Sequence, residues 1–128
     1  MKCRSINIKP SSFSANSTKE KGNAIKIKVY IKDHMIGAGK MELFHLVHQK
    51  GSVKAAANFM GMSTRRAKLL LNTIEEAFPT PILEKQKGNK GTLLTSFGKE
   101  LLAKYLSLNK HLSEEAENFI QWAASKQR

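Results

Sequence analysis

A single cysteine, Cys3, is all the sequence holds of that residue. That excludes an intrachain disulfide and a cysteine metal site, and Cys3 is expected to be an incidental thiol in a tail. Acidic side chains are also scarce, 10 against 22 Lys and Arg. No paired carboxylates fall in a pattern for acid–base work. No glycine loop is joined to a Lys-Ser/Thr pair, and no Cys/His arrangement serves nucleophilic chemistry. An enzyme is therefore the least expected reading. No stretch is long or apolar enough to cross a membrane, and the N-terminus lacks the apolar core of a signal peptide. The expectation is a cytoplasmic, nucleoid-associated protein. Aromatic residues make up 7%, few for stacking unpaired RNA bases.

What the chain has in excess is positive charge. Its 128 residues, enough for one core, carry a net +12. Charge alone does not separate DNA, RNA and anionic membrane as partners. Its distribution says more. Residues 1–99 hold 18 basic and 6 acidic side chains, whereas residues 100–128 hold four of each. One part is built to meet phosphate and the other for a different task.

Residues 1–23 are rich in Ser, Asn and Lys without an apolar period, which predicts a disordered basic tail that adds phosphate contacts or merely solubility. Over 24–32 the pattern alternates, Ile25, Ile27, Val29 and Ile31 against Lys26, Lys28, Tyr30 and Lys32, predicting a half-buried strand. Ile36-Gly37-Ala38-Gly39 reads as a turn into a helix over about 40–50, which Gly51 ends. Ser52 caps a second helix over 53–60. Ser63 caps a third running to Phe78, where Pro79 and Pro81 stop it. Short strands over 82–87 and 92–95 flank Gly88-Asn89-Lys90-Gly91, read as a tight hairpin. Ser96 opens the longest helix, to about Ala124. The domains are thus 1–23, a tail; 24–95, the folded unit; and 96–128, a long helix.

The spacing of Ala57, Gly61, Ala67 and Leu70 is that of a DNA-binding helix-turn-helix. A small residue on its first helix admits the second, and Gly61 supplies the left-handed turn. The stripe Ala67, Leu70, Leu71, Ile74 and Phe78 faces inward and leaves Thr64, Arg65, Lys68 and Asn72 outside. Arg65 suits guanine, a contact worth about 1–3 kcal/mol of discrimination. Thr64 and Lys68 lie on the same exposed turns, Asn72 reads adenine or meets phosphate, and Arg66 points aside toward backbone phosphate. The bland alternative is a solvated helix face. Ser52 and Ser63 either cap only or also touch phosphate, with Lys54 beside them. Lys85, Lys87, Asn89 and Lys90 on the hairpin grip phosphate or simply add solubility. His45 and His48 lie three apart, but no third ligand completes a site, so packing or surface histidines are expected. No metal and no cofactor are predicted.

The long helix carries Leu101, Tyr105, Leu108 and Leu112, then Phe119 and Ile120. Thirty residues of helix extend roughly 45 Å, further than a small domain covers. An uncovered apolar stripe marks an interface, and a second copy is the economical partner.

The order strand, Gly-x-Gly turn, three helices, hairpin and long helix resembles the N-terminal DNA-binding domain of ModE-type molybdate-responsive regulators, which share a winged helix-turn-helix with LysR-type regulators. The matching residues run from Ile36-Gly37-Ala38-Gly39-Lys40 through Gly51-Ser52-Val53-Lys54-Ala55-Ala56-Ala57 and Gly61-Met62-Ser63-Thr64-Arg65-Arg66-Ala67. They continue over Leu83-Glu84-Lys85-Gln86-Lys87-Gly88-Asn89-Lys90-Gly91 and Leu94-Thr95-Ser96-Phe97-Gly98-Lys99-Glu100-Leu101-Leu102. The resemblance covers about 25–112. It departs from the family at Lys68, where an aromatic residue is usual, and in a shorter wing. It implies a mainly α fold with small β: a winged helix-turn-helix with an N-terminal strand, a hairpin wing and a long dimerisation helix. It further implies DNA binding and dimerisation by a bacterial transcription regulator. Because the sequence ends after the long helix, molybdate sensing is not implied.

The leading expectation is a homodimeric regulator of double-stranded DNA on a pseudo-palindromic site, with no small-molecule effector evident. One alternative is an architectural, nucleoid-type protein that uses the same surface without reading bases. Another is an interaction protein docking a larger regulator through its C-terminal helix.

Overall fold

The computed structural model describes residues 25–127, without the side chain of Asn89; the predicted tail over 1–23 and Cys3 lie outside the described residues. Strands β1 (Lys28–Ile31) and β2 (His34–Gly37) form an antiparallel hairpin with Lys28 opposite Gly37. Four helices follow: α1 (Ala38–Lys50), α2 (Val53–Met60), α3 (Thr64–Glu75) and, at the end, α4 (Ser96–Ser125). Between α3 and α4 lies a second antiparallel hairpin of β3 (Leu83–Lys85) and β4 (Thr92–Leu94). The fold is mainly helical with two small two-stranded sheets.

Helix α1 is the hub. Residues 41–47 are all buried, so every face is covered. Around it pack α2, α3, α4, β2 and β4. Met41, Leu43, Phe44, Leu46 and Val47 meet Ala56 and Ala57 of α2, Ala67, Leu71 and Ile74 of α3, and Leu102 and Leu106 of α4 in one core. Alanines at the α2–α3 crossing let the two backbones approach. Each fully buried Leu or Phe contributes about 1.5–3 kcal/mol.

The N-terminal region differs from its sequence pattern. Ile36 and Gly37 belong to β2 rather than to a turn, and α1 starts at Ala38, two residues early. The hairpin turns at Lys32 and Asp33, both left-handed with φ 46° and 77°. Such a pair closes a two-residue hairpin, but without Asn-Gly or Asp-Gly it sends no strong signal. Only Ile27 of the expected inward row is buried; Val29 is half-buried and Ile31 exposed, since the hairpin tip runs past the core.

Helix α3 stops at Glu75, three residues short of the expected end. The chain tightens there, with Ala77 N–H donating to Ile74 O and Phe78 N–H to Glu75 O, both at 3.1 Å. A residue before proline avoids helical backbone, so Pro79 acts one residue upstream of itself. Phe78 then meets Phe97 edge-on, ring centres 5.3 Å apart. Helix α4 opens at Ser96 as expected and is capped by Thr95: Thr95 Oγ1 accepts from Gly98 N–H at 3.0 Å and donates to Pro81 O at 2.7 Å.

Candidate nucleic-acid interface

Helices α2 and α3 are joined by a three-residue turn. Gly61 is left-handed at φ 73°, its N–H bonded to Ala57 O and Asn58 O, and Met62 N–H donates to Ala57 O at 3.0 Å. This pattern satisfies the carbonyls that end α2 and reverses the chain sharply. Ser63 then starts α3, its Oγ accepting from Arg66 N–H at 3.0 Å. Ser52 does the same for α2 from Ala55 N–H, also at 3.0 Å. Both serines are thus helix caps.

On α3, Arg65, Arg66 and Lys68 are exposed, while Thr64 is half-buried. Asn72 is exposed, but its Nδ2 donates to Glu76 Oε2 at 3.1 Å. The carboxylate beside that amide discourages a phosphate there and leaves Asn72 with less freedom than Arg65. Ala67, Leu71 and Ile74 are buried, and Leu70 packs on the core, as the stripe predicts. Leu69, 61% exposed on the outward side of α3, was missed by sequence reasoning. Its place after Lys68 and outside the stripe was the available signal.

The hairpin β3–β4 has Lys85, Lys87 and Lys90 exposed. Its connection is a six-residue loop over 86–91, closed by Gln86 N–H on Gly91 O at 2.8 Å, with a single 3₁₀ turn at Lys87–Asn89. It is broader than the expected tight turn because two glycines, Gly88 at φ 63° and Gly91 at φ 103°, reverse the chain separately. The base of this hairpin is fastened to the α1–α2 junction, where Thr92 N–H donates to Gly51 O at 2.9 Å. The half-buried cap Ser52 and the exposed Lys54 in the first turn of α2 are thereby brought beside the hairpin base.

Four titratable groups have shifted pKa values: Glu42, His45 and Tyr105 are buried and His48 is half-buried. Burial pushes the Glu42 carboxyl up to about 7. His45 is fully buried and its pKa is lowered, by burial first and by His48 second. His48 is lowered too, by burial and then by Lys99. Burial raises Tyr105 to about 12. Among the described residues no group of three or more His, Cys, Asp and Glu is placed to hold a metal ion.

Helix α4 divides at Asn109, the last buried residue along it. Tyr105 is buried in the core of its own chain and Leu101 packs against that core, so both are engaged within the monomer. Beyond Asn109 the helix projects. Leu108 and Leu112 are exposed at the boundary, Phe119 is 67% and Trp122 61% exposed, and Ile120 is half-buried. Phe119 and Trp122 lie side by side, ring centres 6.3 Å apart. No helix of the described residues is long and apolar enough to cross a membrane.

No protein-family model matches the chain, and no curated protein matches it. The functional reading therefore rests on geometry and chemistry.

Proposed function

We propose that this chain is a sequence-specific, double-stranded DNA-binding transcriptional regulator of winged helix-turn-helix type, similar to the DNA-binding domain of ModE-type regulators and acting as a homodimer. The observation that carries the reading is the α2–Gly61–α3 unit, with its Ser63 cap and its exposed Arg65, Arg66 and Lys68 on one helix. In the proposed complex α3 enters the major groove, Arg65 and Lys68 meet base edges, and Arg66 meets phosphate. Lys85, Lys87 and Lys90 on the β3–β4 wing hold flanking backbone, which fixes register without reading sequence. The outer halves of two α4 helices pair through Phe119, Ile120 and Trp122 and set two α3 helices on one duplex.

The test is a selection from random duplex DNA by the purified protein at near-physiological salt, with sequencing of the bound pool. An enriched two-fold motif supports the regulator. Binding without enrichment that fades with salt would replace it by a non-specific architectural role. A second reading, an interaction protein docking a larger partner, is favoured by the exposure of Phe119 and Trp122. It predicts a stable heteromeric complex and no self-association at micromolar concentration.

A further inference from the structure

Between the N-terminal hairpin and the α2–α3 turn the fold leaves a cavity of about 540 Å³, within the range of small-molecule sites. Its walls are apolar: Met35 of β2, Phe59 and Met60 of α2, and Met62 and Leu70 around the turn and α3. Into it the first turns of α1 bring Glu42, a residue only 6% exposed. Among the described residues no cation or hydrogen-bond donor pairs with that carboxyl. Burying a carboxyl this way carries a cost that nothing in the packing of α1 repays. The cations stand further out: Lys26, Lys28, Lys40 and Arg66 line the same cavity, and Lys40 is held by a 3.0 Å bond from Nζ to Met35 O.

We propose that this cavity is a binding site for a small organic anion with an apolar body, its acid group at the basic rim and a polar substituent on Glu42. Four cations around one buried carboxyl favour an anion over an amine. Three methionines and a phenylalanine favour a hydrocarbon or aromatic body, since thioethers adapt to such shapes. The chain's own residues 1–24 are a poor occupant, with five basic side chains and one acidic one. This inference does not depend on the DNA reading. The two touch at Arg66, which is shared by the cavity and the exposed face of α3, so an occupied cavity draws that guanidinium from phosphate.

The test uses the full chain and anilinonaphthalene sulfonate, an apolar fluorescent anion, followed by methionine methyl resonances. Binding is expected to saturate, to shift Met35, Met60 and Met62, and to spare Met41, which is fully buried in the core. Gly39 lies at the mouth, and a Cβ there meets nothing within 4 Å, so Gly39→Trp fills space without displacing backbone. It should weaken binding by about tenfold or more. Charge reversal at exposed Lys26 and Lys28 (Lys26→Glu with Lys28→Glu) should do the same without touching the core; an unchanged Met41 signal reports an intact fold. Three outcomes overturn the proposal: no saturable binding, shifts that persist in both variants, or probe that locates only beside Trp122, the sole tryptophan. DNA selection separates this from failure of the regulator reading, because it needs no ligand.

Discussion

Thr92 donates its backbone N–H to the carbonyl oxygen of Gly51 at 2.9 Å, tying the base of the β3–β4 hairpin to the junction of α1 and α2. The same oxygen lies where a Cβ on Gly91 would stand. The hairpin can approach this closely only because residue 91 has no side chain.

Gly91→Ala is therefore expected to destabilise the fold by roughly 2–4 kcal/mol, combining left-handed strain with a backbone collision. Gly88 is also left-handed, at φ 63°, but a Cβ there meets nothing within 4 Å. Gly88→Ala should cost only about 1–2 kcal/mol. Urea unfolding of the two variants checks the ranking, and equal losses would show that strain alone matters.

Glu42 gives the fold a pH dependence of unusual sign. Its carboxyl titrates at about 7 when folded and near 4.5 when unfolded. Between these values the folded state holds a proton that the unfolded state has released, so stability falls as pH rises from 4.5 through 7. The loss approaches about 3 kcal/mol above that window. His45 acts oppositely: its lowered pKa removes stability as pH falls below the usual histidine value. Glu42→Gln should remove the fall in stability between about pH 4.5 and 7 and leave the His45-dependent loss on acidification, as measured by denaturant midpoints from pH 4 to 9.

On DNA, Arg65→Ala is expected to relax preference at one base position, at about 1–3 kcal/mol. Lys87→Ala should weaken all duplexes alike and reduce the salt slope by about one. Competition binding with singly substituted duplexes separates the two. Uniform effects from both would remove Arg65 from base reading.

Replacing Phe119 and Trp122 together by Ser should abolish self-association in sedimentation at micromolar concentration. Their rings lie beyond the core, so the unfolding free energy of the monomer should change by less than about 0.5 kcal/mol.

Where the sequence carried a repeating physical signal, the elements were legible. Ser52, Gly61 and Ser63 mark both ends of α2 and the start of α3, and these limits match. From the expected outward set, Arg65, Lys68 and Asn72 are exposed as the buried period of α3 implies, whereas Thr64 is half-buried and Arg66, read as pointing aside, is exposed as well. Harder to see was the turn at Lys32 and Asp33, whose left-handed backbone no glycine announces. Glu42 was obscured differently, whereas of the two readings left open for His45, packing or surface, its full burial matches packing. Both residues interrupt the apolar pattern of α1, yet that helix is surrounded on every side, so a polar residue there has no outer face to occupy. Tyr105 reads as part of an interface stripe because one period serves both the core and whatever lies beyond it. Only the packing reveals where the first ends.

The single uninterrupted helix from Ser96 to Ser125 makes the outer stripe a matter of angular phase. With Leu102 and Leu106 clamped in the core, each residue deleted between Asn109 and Phe119 turns the Phe119–Trp122 pair by about 100° about the helix axis and draws it inward by about 1.5 Å. Seven deleted residues restore its heading to within about 20° while shortening the rod. The direction in which that aromatic pair faces is thus stored as a count of residues rather than in any contact the pair makes.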